Sequence, residues 1–341
     1  MPFLEDHVAA LGNYTSFLGL DLGSYAVKAV EIKRRRGALF VSGYAYEPVM
    51  DPNNYAEAIR AAVKSGGLRG ECVSIAVSGK GTLVDAFDLL PGVNIEEEIA
   101  KRISKVIAEA GDDLLYDCDV REGDAGSAQK AILVAARKSE LEPRLAVLDK
   151  AGLRPAVVDS ELVAIANAYE TANAGGLFLP VGQAVGLVDF GASKTLMAFM
   201  DGERSLFREY PVGGNSLTEL LACRLSVGLD EAESLKCRLG NDMDTIKDVV
   251  HSGLEEVAAE IRRTADKFEK RGGKRPDLML LSGGLAGFPG AVPVLSRLLR
   301  SEVKVFDTFG AVEADMYDAK FLHQYAHEFP LAFGLACRLA S

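Results

Sequence analysis

Two segments of this sequence repeat the same pattern, and this repeat limits the possible fold more than any other feature. "FLGLDLGSYAVKAVEI" at residues 17–32 is an apolar run ending near an aspartate, a turn of glycine and small residues, and a second apolar run. "VGLVDFGASKTLMAFM" at residues 185–200 has the same order, with Asp189 and Gly191 in place of Asp21 and Gly23. One copy alone would be only a tight turn between two strands. Two copies predict two related α/β lobes that face each other.

The residues in each turn are typical of a phosphate site. Glycine and small side chains let successive backbone N–H groups point outward and form a nest for anions. The aspartates cannot contact a phosphate directly, because both groups are negative. Mg²⁺, which keeps several of its waters, is the cation that fits between them. Lys28 places an ammonium group near the same phosphates. The hairpins therefore predict a phosphate site with Mg²⁺ held through water by Asp21 and Asp189.

A third glycine-rich segment follows a predicted buried strand. "LMLLSGGLAGFPGAVPVLSRLL" at residues 278–299 continues through Gly283 and Gly284 into a turn and a helix. Backbone without Cβ lets a flat ligand approach closely, which suits a nucleoside. Taken alone, the segment could equally reflect close packing of a helix against a strand.

Composition and charge argue against several classes of protein. The chain has 341 residues, of which 48% are apolar and 26% charged, as in ordinary globular proteins of two domains or one domain with insertions. Its formal charge of −11 argues against nucleic acid as the main partner. No stretch reaches the ~18 apolar residues that cross a bilayer. The first 13 residues lack the cationic start of a secretion signal. These features predict a cytoplasmic protein.

The segment between the two hairpins contains a unit of different character. Strands are predicted at 83–90 and 131–136, and helices at 95–109 and 141–151. Asn94, with Glu97 three residues later, predicts an N-terminal cap for the first of these helices. Together these elements predict a compact α+β unit inserted into the first lobe.

The sequence resembles the actin, Hsp70 and hexokinase-like ATPases, and within them the PilM-like proteins of type IV pilus assembly, with FtsA-like proteins as cousins. The resembling stretches are "GLDLGSYAVKAVEI", "ILVAARKSELEPRLAVLDKAGLRPAVVDSE", "VGLVDFGASKTLMAF", "PVGGNSLTELLACRLSVGLDEAESLK" and "LLSGGLAGFPGAVPVLSRLL". The second stretch is the most specific, because general actin-like ATPases lack that module. The resemblance implies an α/β, actin-like (ribonuclease H-like) two-lobed ATPase fold with an inserted FtsA/PilM-type α+β subdomain. The first lobe would span 1–182 with the insertion at 79–156, and the second 183–341 with a helical nucleotide-side subdomain at about 214–276.

The resemblance also implies ATP and Mg²⁺ as cofactors, with Asp21 and Asp189 as the catalytic pair that holds the metal through water. Lys194 stands where the family usually has Ser or Thr, so it either adds a cation near the phosphates or points to solvent. No residue is an obvious water-activating base, so any hydrolysis is expected to be slow. The implied nucleotide contacts are Gly23, Ser24, Tyr25 and Lys28 in the first hairpin, Gly191, Ala192 and Ser193 in the second, Gly214 and Asn215 at the ribose, Glu233 and Lys236 beside adenine unless they are a solvated helix face, and Gly283, Gly284 and Phe288 in the adenosine element.

The partner that the resemblance implies is a PilN-like inner-membrane protein. Its cytoplasmic N-terminal peptide would lie in a groove walled by the strand at 83–90, the helix at 95–109 and the strand at 131–136. The apolar positions of these elements would otherwise only fill the module's own core. Membrane association would be indirect, at the inner face of the inner membrane, and self-association stays open. The alternatives are an FtsA-like cell-division or type II secretion scaffold, or a sugar- or acetate-type kinase, since such kinases share the hairpins.

Overall fold

The computed structural model describes residues 16–35, 38–49, 51–70, 72–79, 81–107, 113–121, 128–180, 182–237, 244–314 and 319–340. In these ranges, six strands form a first, mixed sheet: β1 (Ser16–Leu22), β2 (Ala26–Arg35), β3 (Ala38–Pro48), β4 (Cys72–Val77), β8 (Pro155–Ser160) and β14 (Glu313–Ala314). Their order is β14-β3-β2-β1-β4-β8. β1 pairs antiparallel with β2 and parallel with β4, and β8 extends the parallel side.

A second sheet repeats this arrangement. Its strands within the described ranges are β9 (Val185–Phe190), β10 (Thr195–Met200), β11 (Ser205–Tyr210), β12 (Leu278–Ser282) and β13 (Glu302–Val305), in the order β11-β10-β9-β12-β13. The first three are antiparallel neighbours, and the last two continue from β9 in parallel. The order and directions match β3-β2-β1-β4-β8 strand for strand. This confirms the two related lobes predicted from the repeated hairpin.

A smaller antiparallel sheet, with three strands in the described part of the chain, lies between β4 and β8 in sequence. Its strands are β5 (Thr82–Leu89), β6 (Leu114–Arg121) and β7 (Gln129–Arg137), in the order β5-β7-β6. One helix, α2 (Ile95–Ile107), packs Ile99 and Ile103 against Phe87 and Leu133. Asn94 Oδ1 accepts a hydrogen bond from Glu96 N at 2.9 Å, as the predicted cap requires. Residues 108–109 of the predicted helix lie outside the described residues.

The remaining helices cover the two larger sheets. Leu148, in the helix Lys138–Ala151, lies in one core cluster with Leu20 and Ile59. This helix therefore packs with the first sheet. The limits predicted for the inserted unit, 79 and 156, stay predictions. The helices are α1 (Tyr55–Ser65), α3 (Lys138–Ala151), α4 (Glu161–Ala172), α5 (Gly214–Leu225), α6 (Leu229–Cys237), α7 (Asp244–Lys270), α8 (Ala291–Leu299), α9 (Ala319–Tyr325) and α10 (Pro330–Ala340).

Helices α4 and α10 cross closely and help to join the lobes. A Cβ on Gly334 of α10 would lie 1.8 Å from the carbonyl oxygen of Ala164 in α4, so only glycine permits this approach. Phe17 of the first sheet, Leu280 of the second and Phe333 of α10 belong to one buried cluster. None of the helices in the described residues is long and apolar enough to span a membrane.

Asp159, at the end of β8, makes the stability of the fold depend on pH. Burial raises the pKa of its carboxyl group to about 6, against 3.8 for the unperturbed group. The folded protein therefore binds this proton more tightly than the unfolded chain does. Its contribution is favourable below the unfolded pKa and is lost as the pH rises through about 6.

We expect the free energy of unfolding to fall by about 1 kcal/mol more in the wild type than in Asp159→Asn between pH 5 and pH 7.5. Asparagine keeps the size of the side chain and an acceptor for Ser160 N, which lies 2.7 Å from Asp159 Oδ1, but it does not titrate. Urea unfolding at the two pH values measures the difference. An equal fall in both proteins would contradict the assignment.

Candidate functional site

The two predicted hairpins face each other across a cleft of about 470 Å³. Residues 23–25 connect β1 to β2, and residues 191–194 connect β9 to β10. Ser24 Oγ donates to Ser193 Oγ at 2.9 Å, and Gly191 N donates to Lys194 O at 2.9 Å within the second turn. The tips of the two hairpins are therefore in direct contact across the cleft.

Most residues predicted for the site lie on the wall of this cleft. The two exceptions, Asn215 and Gly283, are not among the residues that line it. Asn215 N donates to Ala192 O at 2.7 Å, and a Cβ on Gly283, which has a φ of 78°, would lie 2.4 Å from Phe190 O. The wall includes Asp21, Gly23, Ser24, Tyr25, Lys28, Asp189, Gly191, Ala192, Ser193, Gly214, Glu233, Lys236, Gly284 and Phe288.

Lys28 lies at the centre of the charges around the first hairpin. Its Nζ is 3.2 Å from Asp21 Oδ2 and 3.4 Å from Glu328 Oε2. Burial disfavours the ammonium form, but these carboxylates outweigh it and raise the pKa of Lys28 well above its usual range. Burial also raises the pKa of Asp21. Lys28 is therefore a fixed positive charge on the cleft wall at neutral pH.

Asp189 occupies the corresponding place in the second lobe. Ser282 Oγ donates to Asp189 Oδ1 at 2.7 Å, and burial raises the pKa of the carboxyl group to about 6. A divalent cation in the cleft would favour the ionised forms of Asp189 and Asp21. Mg²⁺ binds through one or two carboxylates and retains waters, so this pair fits the metal that the sequence predicted.

The side of the cleft beyond the second hairpin is formed by the start of α5 and the C-terminal half of α6. Lys236 Nζ lies 2.6 Å from Glu233 Oε2 and donates to Gly214 O at 3.0 Å. The Lys236 side chain is only 15% exposed, so the alternative of a solvated helix face is wrong for this residue. A Cβ on Gly213 would lie 2.6 Å from Gly191 O, so α5 can approach the second hairpin only with glycine there.

Two carboxylates on the cleft wall were not predicted from the sequence. Glu161 is the first residue of α4, directly after β8, and Glu328 ends the short turn Ala326–Glu328 before α10. Glu161 could have been predicted from the sequence, because it directly follows β8, which is parallel to β4, and ligands bind at the carboxyl ends of parallel strands. Glu328 follows no such strand, and its place in the site depends on the packing of α10.

The structure distinguishes between the two alternatives predicted for Lys194, a cation near the phosphates or a side chain in solvent. Its Nζ lies 2.7 Å from Glu161 Oε2 and 3.7 Å from Glu209 Oε2, and it contacts Ser78 Oγ. The side chain is on the cleft wall and does not point to solvent. It therefore adds a cation beside the second hairpin, already paired with a carboxylate of the first lobe.

A second cavity, which we call the groove, has a volume of about 560 Å³ and lies between the small sheet and both lobes. Two of its predicted walls are present, in residues 86–88 of β5 and 130–132 of β7. The third predicted wall does not line this cavity, because α2 packs on the opposite face of the sheet, where Phe87 points. The other walls are formed by Tyr169, Glu170, Asn173 and Ala174 of the α4 end, and by Gly182, Gln183, Val185, Met200, Gly202, Glu203, Arg204, Ser205, Phe268 and Arg271.

Comparison with known proteins decides the family. A family model described as "Type IV pilus assembly protein PilM" matches residues 19–340. The chain belongs to the PilM family. This match selects the PilM-like prediction over the FtsA-like and kinase alternatives.

Solved structures show that the PilM-family chain has the predicted actin-like fold. The structure titled "PilM-PilN type IV pilus biogenesis complex" contains a chain that is 22% identical, with a TM-score of 0.80, covering 95% of this chain and 98% of that one. The ethanolamine utilization protein EutJ from Carboxydothermus hydrogenoformans is 18% identical, with a TM-score of 0.53 and coverage of 94% and 89%. A nucleotide-free diol dehydratase-reactivating factor is 10% identical, with a TM-score of 0.54 and coverage of 94% and 99%.

Proposed function

We propose that this PilM-family protein is an ATP-binding scaffold of type IV pilus assembly that holds the N-terminal tail of a PilN-like inner-membrane protein. The observation that carries this proposal is the similarity to the chain of a PilM–PilN complex over 95% of the sequence. The protein would act at the inner face of the inner membrane, and the tail of its partner would connect it to the membrane.

The cleft supports the nucleotide part of the proposal. Two glycine-containing turns approach each other there, and Lys28, Lys194 and Lys236 place three ammonium groups on its wall. Phosphate groups bind to such cations and to outward-pointing backbone N–H groups. Glu161 is the carboxylate nearest to the second hairpin's lysine, and its pairing with Lys194 leaves it poorly placed to activate water. Hydrolysis in this cleft would therefore be slow.

The groove supports the partner part of the proposal. Ala86 and Ile132 are neighbours across β5 and β7, and both face away from the core that α2 covers. Met200 and Phe268 of the second lobe also lie on the groove wall but are buried, so the apolar surface open to a peptide comes mainly from the small sheet. An extended peptide binds such a groove by placing alternate apolar side chains in pockets. The few apolar side chains of a short tail give roughly micromolar affinity after ordering costs are subtracted.

We expect Ala86→Trp to weaken tail binding by about tenfold or more, because the indole ring would occupy the groove. The assay is fluorescence anisotropy with a labelled synthetic peptide that corresponds to the cytoplasmic N-terminal tail of the organism's PilN-like protein. Ala100→Trp is the matched control, since Ala100 is an exposed residue of α2 in the same module. Wild-type affinity in both variants would show that the tail binds elsewhere, and no binding to the wild type would overturn the partner assignment.

A further inference from the structure

Residues of both lobes meet in a polar cluster between the cleft and the groove. We call Ser78, Gly79, Glu161, Lys194 and Glu209 the interlobe cluster. Lys194 of the second lobe contacts Glu161 and Ser78 of the first, as described above. Gly79 N donates to Glu209 Oε2 at 3.1 Å, which adds a second connection between the lobes.

The ion pair in this cluster is well defined and mostly shielded from water. The Glu161 side chain is 9% exposed and that of Lys194 is 20% exposed. Burial acts to raise the pKa of Glu161, but the Lys194 ammonium outweighs it and the pKa is lowered. The Glu161 carboxylate is therefore ionised at neutral pH. Arg144 Nη2 lies 3.8 Å from the other oxygen of this carboxylate, Oε1, so Glu161 keeps a second, longer cationic contact when Lys194 leaves it.

Three elements run from the interlobe cluster to the groove. Helix α4 begins at Glu161 and ends beside the groove residues 169–174. Strand β10 follows Lys194 and ends at Met200, and β11 runs from Ser205 in the groove to Glu209 and Tyr210. The groove thus has walls from both lobes, and each wall is continuous with a member of the interlobe cluster.

We propose that Lys194 is a positioning residue whose ammonium group is shared between Glu161 and the phosphates of a nucleotide in the cleft, and that this sharing couples nucleotide binding to tail binding in the groove. The inference rests on the proposed function. Two arrangements differ in the partner of Lys194: the Glu161 carboxylate in one, and a phosphate oxygen in the other. Phosphate binds ammonium strongly enough to compete with a carboxylate. Loss of the Glu161 contact removes one polar connection between the lobes and so lowers the cost of a shift of one lobe against the other, and such a shift changes the groove between them.

Coupling of this kind is reciprocal and measurable. If a nucleotide changes the tail affinity by a given factor, the tail must change the nucleotide affinity by the same factor. We expect tail affinity in the wild type to differ by about fivefold or more between protein alone and protein with saturating Mg²⁺ and a non-hydrolysable ATP analogue. Anisotropy of the labelled tail peptide gives this coupling ratio, and titration of a fluorescent analogue with and without the tail must give the same ratio.

Lys194→Met tests the role of this residue directly. We expect both ligands to bind this variant but the coupling ratio to fall close to one, and we expect Lys194→Arg to restore the ratio because arginine can also pair with Glu161. The matched control is Lys28→Met, which removes another ammonium from the cleft wall but one whose ion-pair partners are Asp21 and Glu328. Lys28→Met should weaken binding of the ATP analogue. At saturating analogue, however, the ratio of tail affinities with and without the analogue should keep its wild-type value.

The outcomes separate this inference from the proposed function. Unchanged coupling in Lys194→Met, or loss of coupling also in Lys28→Met at saturation, would overturn the role of Lys194. Tail and analogue binding to the wild type with a ratio of one would overturn the coupling but leave the proposed function intact. Failure of the wild type to bind the analogue or the tail would overturn the proposed function and this inference with it.

Discussion

Replacing Asp189 by alanine will weaken Mg²⁺-ATP binding by about 100-fold, the upper range for losing a residue that supports a metal. Asp189 and Asp21 provide the carboxylates near the ends of β9 and β1. Both are predicted to hold Mg²⁺ by accepting hydrogen bonds from its bound waters. The variant should fold normally. Burial raises the pKa of Asp189 to about 6, so the fold does not depend on the ionised carboxylate that the substitution removes.

The measurement is equilibrium binding of a fluorescent ATP analogue, with Mg²⁺ and with EDTA. Wild type and Asp189→Ala should converge in EDTA, because the aspartate acts through the metal. Ser282→Ala should fall between them, since it removes only the hydrogen bond that orients Asp189 Oδ1. The Ala86→Trp protein is a control from a different site. Wild-type affinity of Asp189→Ala in the presence of Mg²⁺ would refute the assignment of the cleft.

A single methyl group at residue 334 will destabilise the whole fold. The Cβ of Gly334→Ala would lie 1.8 Å from Ala164 O, and the neighbouring atom is backbone that cannot move alone. Overpacking of this kind costs about 1–3 kcal/mol, and occasionally more. A contact of 1.8 Å with backbone belongs at the top of this range or above it, so we expect a net loss of about 2 kcal/mol or more after the gain in helix propensity of about 1 kcal/mol is subtracted.

Gly253→Ala is the matched control for this effect. Gly253 is also inside a helix, α7, but its added Cβ would meet Leu217 Cδ2 at 2.2 Å, the end of a side chain that can rotate. Its stability should stay within about 1 kcal/mol of the wild type. Urea unfolding of both variants gives the comparison. Equal stability of the two variants would show that α4 and α10 can separate without cost.

The sequence predicted those parts of the site that depend on local chain geometry. Both hairpins and the glycine-rich segment after β12 were identified because a turn beside a phosphate needs particular residues at particular spacings. Glu328 could not be found in this way. It reaches the cleft through the packing of α10 against β1, and it is 300 residues from Lys28 in sequence. Nothing in its own sequence neighbourhood indicates a site.

Two further differences have physical causes. Strand β6 was not predicted, although Leu114, Cys118 and Val120 are half-buried, because exposed Asp117 and Asp119 interrupt an already short apolar pattern. Asn215 and Gly283 were predicted to contact the nucleotide but do not line the cleft. Their sequence signals reflect close backbone packing, against Ala192 O and Phe190 O, as much as an approach to a ligand.

The small sheet has a hydrophobic cluster of its own, which includes Phe87, Ile103 and Leu133 and is separate from the clusters of the two lobes. A unit with a separate core can open without global unfolding, so its amide hydrogens should exchange with solvent faster than those of β1 or β9. A tail bound in the groove would contact this sheet and both lobes at once. It would therefore slow exchange in β5 and β7 even at amides that it does not touch, and the sheet would open only together with the rest of the protein.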